Sequence, residues 1–104
     1  MTAFGVQAGA RHRLDQIYAY GVEHWGEAQA ERDIRGLFER FGAIAARRFP
    51  WRPILAEFGV DGFVCRHEQH LTYWKQLDDG VVGVVTVLHQ RMHQIERYRE
   101  DFAD

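Results

Sequence analysis

The alternation of hydrophobic and polar residues predicts two helices in the first half of the chain. From Ala10 onward, apolar residues recur at helical spacing as far as Gly26, a residue that favours a helix end. A second periodic stretch runs from Glu27 to Arg48, and Pro50 ends it because proline cannot continue a helix. Only one or two residues separate the two stretches, so the helices are expected to form an antiparallel hairpin.

The second half of the chain has the pattern of a β-sheet. Strands are predicted at Phe63 to Glu68 and at His70 to Leu77, and the Asp79-Gly80 pair that follows is typical of a hairpin turn. The next run, Val81 to Leu88, is apolar at both odd and even positions. That pattern predicts a central strand covered on both faces.

The remaining segments complete an α+β prediction. A short strand is expected at Phe4 to Gln7, a loop from Pro50 to Val60, and a short helix within Arg91 to Asp104. Residues 1–104 are therefore predicted to form one domain. Its parts are a short N-terminal strand, an antiparallel helical hairpin packed on an antiparallel β-sheet, and a short C-terminal helix.

Composition and charge narrow the class of protein. The chain has 104 residues, of which 46% are hydrophobic, as in a packed globular domain. No apolar run approaches the ~20 residues that span a membrane, and the N-terminus lacks a signal-peptide pattern. The single cysteine, Cys65, fits a cytoplasmic protein. A net charge of −2 gives no overall attraction to nucleic acid, so no sequence-specific DNA binding by this chain alone is expected.

The six histidines do not have the spacing of a metal site. His67 and His70 would point to opposite faces if they lay on one strand, and Cys65 would add only one ligand beside His67. His89 and His93 have helical spacing, which conflicts with the predicted strand. Structural zinc usually needs four ligands, so no metal is expected. The sequence also lacks a P-loop and a dinucleotide-binding fingerprint, and no cofactor is expected.

A ribonuclease function is a possible alternative. Cleavage through a 2′-hydroxyl needs a general base, a general acid and a cation. Residues of these types are His89, His93, Glu96, Arg91, Arg66, Tyr73 and Lys75. They span three predicted elements without diagnostic spacing, so structural roles are favoured and no catalytic residue is assigned. The densest basic cluster, Arg47, Arg48 and Arg52, follows a helix end, where cations are favoured for local reasons.

Several short motifs together resemble a known family. They are Leu14 to Tyr20, His24 to Ala30 with its "WG-x-x-x-A" junction, Phe49-Pro50, His70 to Lys75 and Val87 to Met92. This combination is similar to the RelE/ParE superfamily of bacterial toxins from type II toxin–antitoxin systems, and it is closest to the ParE branch. The chain differs from that pattern where Lys75 replaces a common arginine and where His93 replaces a frequent aspartate.

The resemblance implies a function. A ParE-like protein is a cytoplasmic toxin, associated with plasmid stabilisation, that inhibits DNA gyrase by protein–protein contact and is neutralised by a small ParD-like antitoxin. A RelE-like ribosome-dependent mRNA endonuclease and an attenuated, non-toxic interaction domain remain the alternatives. The slightly acidic net charge favours the ParE-like function over the endonuclease.

The family-like motifs also indicate where a target would bind. The primary contact candidates are Arg66, Lys75, His89 and Arg91. The three cations among them are expected to form one cationic edge. The secondary candidates are His70, Tyr73 and His93.

Overall fold

A computed structural model describes residues 4–55, 59–92 and 94–102 and confirms the α+β class. The elements are β1 (Phe4–Val6), α1 (Ala8–Trp25), α2 (Glu27–Ala45), β2 (Arg52–Pro53), β3 (Phe63–His67), β4 (His70–Gln76), β5 (Val82–His89) and α3 (Gln94–Phe102). Within these ranges, no helix combines the length and the apolar character that crossing a membrane requires.

The two long helices form the predicted hairpin with small shifts at their ends. The chain turns at Gly26, which has a φ of 90°, and its N–H donates to the Val22 carbonyl. The second helix ends at Ala45 rather than Arg48, because Arg47 adopts a left-handed φ of 61°. The N–H of Arg48 then donates to the carbonyl of Ala43, which closes the last turn.

The sheet has the strand order β1-β5-β4-β3-β2 and is mostly antiparallel. It differs from the prediction in two ways. The segment expected to be a loop contains β2, which pairs with the start of β3. The N-terminal strand β1 joins parallel to β5, because the helical hairpin carries the chain from that edge of the sheet to the opposite one.

The central strand β5 is buried throughout Val82 to Leu88, as its apolar pattern predicted. The register with β4 shifts between Tyr73 and Trp74, so β5 carries one extra residue, Val85, in a β-bulge. On one face β5 packs against α1 and α2, and on the other against Tyr98 of α3. Both faces of the strand are therefore core.

The C-terminal helix α3 is fixed to the second face of the sheet by polar contacts. The Asp101 carboxylate accepts hydrogen bonds from Arg13 Nε at 3.0 Å and from Thr86 Oγ1 at 2.6 Å. The Tyr98 hydroxyl donates to the Asp61 carbonyl at 2.6 Å. Burial is the main cause that raises the pKa of Tyr98 to about 12, so this hydroxyl stays protonated at physiological pH.

Candidate functional site

The candidate site lies at one end of the sheet, which is called the turn end here. It consists of the β3–β4 turn with the strand residues on either side of it, Arg66 to His70, and of the exit of β5, His89 to Arg91. The turn has only two residues, Glu68 and Gln69, and Glu68 adopts a φ of 55°. Consequently His67 and His70 are direct cross-strand partners and point to the same face of the sheet. Opposite faces were expected only if both histidines lay on one strand. The structure places them on two strands, in agreement with the strands predicted at Phe63 to Glu68 and His70 to Leu77.

Three histidines line up across the turn end. His67 pairs with His70, and His70 pairs with His89 on the next strand. The rings of His70 and His89 meet edge to face, with centroids 5.5 Å apart. Burial and then the neighbouring His89 lower the pKa of His70, and the opposing effect of Asp33 on α2 is smaller. His70 is therefore held towards its neutral form.

The histidine row is not arranged as a metal site. Within residues 4–55, 59–92 and 94–102, no group of three or more histidine, cysteine or acidic side chains is placed to hold a metal ion.

The exit of β5 is tied to the turn by hydrogen bonds. The Gln90 N–H donates to the Gln69 carbonyl at 2.9 Å, and the Arg91 N–H donates to Nδ1 of His89 at 3.1 Å. With Nδ1 accepting, Nε2 of His89 carries the proton of the neutral ring and faces Gln69 Oε1 at 3.4 Å. The exposed side chain of Arg91 follows directly.

Arg66 contributes an exposed cation to the turn end. It lies on the opposite face of the sheet from His67, since neighbouring strand residues alternate, and its Nε donates to the Glu68 carbonyl at 2.9 Å. From α2, Arg40 reaches across and donates to the Arg66 carbonyl at 3.2 Å. The turn end thus brings Arg66, His89 and Arg91 to one end of the molecule.

Lys75 is not part of this end. It pairs with Gly83, beside the loop that contains Asp78 and Asp79. The strand from Gly83 to His89 covers about 20 Å, so Lys75 lies at the other end of the sheet. The prediction of one cationic edge is therefore wrong: Arg66 and Arg91 lie at the turn end, and Lys75 lies at the opposite end of the sheet.

Tyr73 is buried rather than exposed for contact. It is only 5% exposed, and its hydroxyl donates to Gln94 Oε1 at 3.0 Å beneath α3. Burial raises the pKa of Tyr73, so its hydroxyl stays protonated at physiological pH. The remaining secondary candidate, His93, lies outside the described residues.

The arrangement at the turn end suits contact with another molecule better than it suits acid–base catalysis. Three of the nuclease-type residues are not available beside His89: Tyr73 is buried, Lys75 is remote, and Arg66 is on the other face of the sheet. Proton transfer requires groups within hydrogen-bond reach of one reacting atom. These three positions around His89 do not converge in that way.

Two residues at this end are not indicated by the sequence as part of a contact site. The spacing of His67 suggests only a test for a metal ligand, and no motif includes Arg40. The Glu68-Gln69 pair lacks the glycine or asparagine that usually marks a two-residue turn, so the predicted strands did not specify the register that pairs His67 with His70. The contact from Arg40 joins residues far apart in the chain, and no local pattern reports it.

Comparisons with known proteins agree with the fold. Residues 6–94 match the family described as "ParE toxin of type II toxin-antitoxin system, parDE". Among solved structures, the chain is similar to one described as "Chromosomal ParDE TA system from P. aeruginosa", with a TM-score of 0.69 and 15% sequence identity. That similarity covers 86% of this chain and 96% of the other. No curated protein matches the chain in sequence.

Proposed function

This chain belongs to the ParE family of toxins from type II toxin–antitoxin systems, and we propose that it inhibits DNA gyrase by protein–protein contact in the cytoplasm. Family membership covers most of the chain, residues 6–94. We further propose that a small ParD-like antitoxin neutralises it. The contact residues assigned to the target are Arg66, His89 and Arg91, all at the turn end.

The observation that carries this proposal is the position of Tyr73. In the alternative, an mRNA endonuclease, its hydroxyl would be one of the acid–base groups. Here the side chain is buried under α3 and hydrogen-bonded to Gln94. Exposed cations without a neighbouring acid–base set favour recognition of a protein surface over cleavage of RNA.

The antitoxin is assigned to the outer edge of β1. This strand ends the sheet, and no other strand in the described residues pairs with its outer side. The edge lies next to an apolar surface, because Phe4 contacts the partly exposed Phe38 with ring centroids 6.3 Å apart. An extended antitoxin segment can add as a strand here and cover Phe38.

The opposite edge of the sheet is less suited to strand addition. At that edge β2 covers the start of β3, and Arg40 occupies the carbonyl of Arg66.

A supercoiling assay with purified protein tests the gyrase proposal. Arg66→Glu and Arg91→Glu are expected to weaken inhibition about tenfold or more, as charge reversal within an interface does. Lys75→Glu is the matched control, because it makes the same change of charge at the far end of the sheet. Circular dichroism should show the same fold for all three variants.

Two results would reject the proposal. Translation-dependent mRNA cleavage that disappears in His89→Ala would establish the endonuclease instead. The absence of both gyrase inhibition and mRNA cleavage, with binding of the antitoxin retained, would establish the attenuated interaction domain.

The antitoxin assignment has a separate test. Co-expression with the small reading frame adjacent to the gene should restore growth and yield a co-purifying complex. Phe38→Glu should weaken that complex, whereas Leu55→Glu, a change at an equally apolar exposed residue elsewhere, should not. Equal weakening by both variants, or by neither, would place the antitoxin on another surface.

A further inference from the structure

The turn between α1 and α2 carries an exposed aromatic cluster, here called the hairpin tip: Tyr20, His24 and Trp25. Tyr20 is 55% exposed and Trp25 is 62% exposed, although both rings are large and apolar. Neither ring belongs to any of the three buried core clusters. The two rings therefore take no part in the packing of these buried clusters.

The three rings are already ordered against one another. Tyr20 and His24 stack with centroids 3.8 Å apart and planes inclined by 19°. Trp25 meets Tyr20 edge to face at 5.6 Å. Nδ1 of His24 also lies 2.9 Å from the Tyr20 carbonyl, which holds the imidazole in place. A partner would thus bind rings that have already lost much of their conformational freedom.

The acidic residues lie closer to the hairpin tip along the chain than the nearest arginines, Arg13 and Arg32. Between Leu14 and Glu31 the sequence contains Asp15, Glu23, Glu27 and Glu31 and neither lysine nor arginine. Glu23 and Glu27, which flank His24 and Trp25 in sequence, are both exposed. An acidic aromatic surface repels phosphate groups and attracts cations, which also interact favourably with ring faces.

The hairpin tip is separate from the turn end. Gly36 of α2 is beside His67, and Glu27 begins the same helix about 13 Å away at ~1.5 Å per residue. The tip is also far along the chain from the basic residues of the turn end, Arg66 and Arg91. The two surfaces have opposite charge, so they suit different ligands.

We propose that the hairpin tip binds an arginine- or lysine-bearing segment of a partner protein. The cationic side chain would lie over the Tyr20 or Trp25 ring with Glu23 or Glu27 close to its charge. This binding site is additional to the proposed gyrase contact at the turn end and does not depend on it. The acidic charge argues against nucleic acid and anionic membrane as ligands.

Isothermal titration calorimetry with capped hexa-arginine tests the proposal, with capped hexaglutamate as the reverse-charge probe. Wild-type protein should bind hexa-arginine at low salt, lose affinity in high salt, and show no binding of hexaglutamate. Trp25→Ala should weaken binding about tenfold, whereas Trp25→Phe should retain most of it because a ring remains. Glu27→Gln should also weaken binding.

Two matched control variants distinguish binding at the hairpin tip from binding elsewhere on the protein. Leu55→Ala removes another exposed apolar side chain, and Glu39→Gln removes another exposed acid from α2, so both should bind hexa-arginine as the wild type does. Undetectable binding, or equal affinity of Trp25→Ala and the controls, would overturn the proposal. Concentration-dependent self-association that Trp25→Ala abolishes would overturn it in favour of a second copy as the occupant.

Neither peptide measurement involves gyrase or antitoxin. A negative result with the peptides would therefore leave gyrase inhibition and antitoxin binding untouched, and loss of either of those would leave peptide binding unaffected.

Discussion

At the scale of single residues, two fully buried threonines differ in whether their hydroxyl groups have a hydrogen-bond partner. Thr72 and Thr86 are both 0% exposed and lie on neighbouring strands. The hydroxyl of Thr86 donates to Asp101, but the hydroxyl of Thr72 has no hydrogen-bond partner among the described residues. The same side chain is therefore satisfied on one face of the sheet and unsatisfied on the other.

Replacing each threonine by valine should have opposite effects on stability. Thr72→Val removes an unsatisfied buried hydroxyl, and we expect the free energy of unfolding to rise by about 1 kcal/mol. Thr86→Val removes a satisfied donor from Asp101 and should lower that free energy by about 1–3 kcal/mol. Urea denaturation followed by circular dichroism measures both. If the free energy of unfolding changes in the same direction in both variants, the hydrogen bonding of the two hydroxyls does not determine the effect of the substitution.

Gly62 is a position where only glycine fits. It has a φ of 138°, and a Cβ there would lie 2.6 Å from the Tyr98 hydroxyl and 3.0 Å from the Trp74 carbonyl. Gly62→Ala should therefore lower the free energy of unfolding by roughly 2 kcal/mol or more.

The helical Gly42 is the control for this change, because a Cβ there meets nothing within 4 Å. Gly42→Ala should raise stability by about 0.5–1 kcal/mol, since alanine is the better helix former. A tolerated Gly62→Ala would mean that Tyr98 can move without cost.

At the scale of elements, α3 is the clearest case of an element held by specific contacts. Asp101 and Glu100 are neighbours on this helix, and each forms an ion pair with an arginine. The pair of Asp101 with Arg13 is largely buried and includes Thr86, whereas the pair of Glu100 with Arg97 is exposed on one helix surface. Their contributions to docking of α3 should differ accordingly.

Alanine substitution at the two positions tests this difference. Asp101→Ala leaves Arg13 and Thr86 without their acceptor, so we expect a loss of about 3 kcal/mol in the free energy of unfolding. Glu100→Ala should change it by no more than about 0.5 kcal/mol, the usual value for an exposed pair. Chemical denaturation provides the measurement. Similar losses for the two variants would show that the buried network does not anchor α3.

At the scale of the whole molecule, the histidine row couples stability to pH. Burial and His89 lower the pKa of His70 below its usual 6.5, while Asp33 and Glu68 act in the opposite direction and His67 adds to the lowering. The folded protein therefore takes up this proton less readily than the unfolded chain. Stability from this source is fully present above pH 6.5, the ordinary pKa of histidine in the unfolded chain, and is lost as the pH falls from there through the lower pKa of the folded state.

Replacing His70 by glutamine should flatten this dependence. Between pH 7 and about pH 5, the midpoint of thermal unfolding should fall less steeply in His70→Gln than in the wild type. His12→Gln, at an exposed position on α1, is the control and should keep the wild-type slope. An unchanged slope in His70→Gln would show that the remaining titrating groups account for the acid sensitivity.

The sequence alone determined the elements that depend on local patterns. Helical periodicity located α1 and α2, the Asp79-Gly80 pair located the β4–β5 hairpin, and the apolar run predicted a central strand buried on both faces. The family-like motifs pointed to the ParE toxins, which the match over residues 6–94 confirms. Each of these features is encoded within a few neighbouring residues.

Only the tertiary structure decided which residues meet. It joined β1 parallel to β5, placed His67 and His70 on one face, separated Lys75 from Arg91, and brought Asp101 to Arg13. A strand's own pattern shows which side chains alternate, but it does not specify the partner strand, the register or a bulge. Those depend on competition between distant segments for the same edges and faces, and hence on the packing of the whole chain.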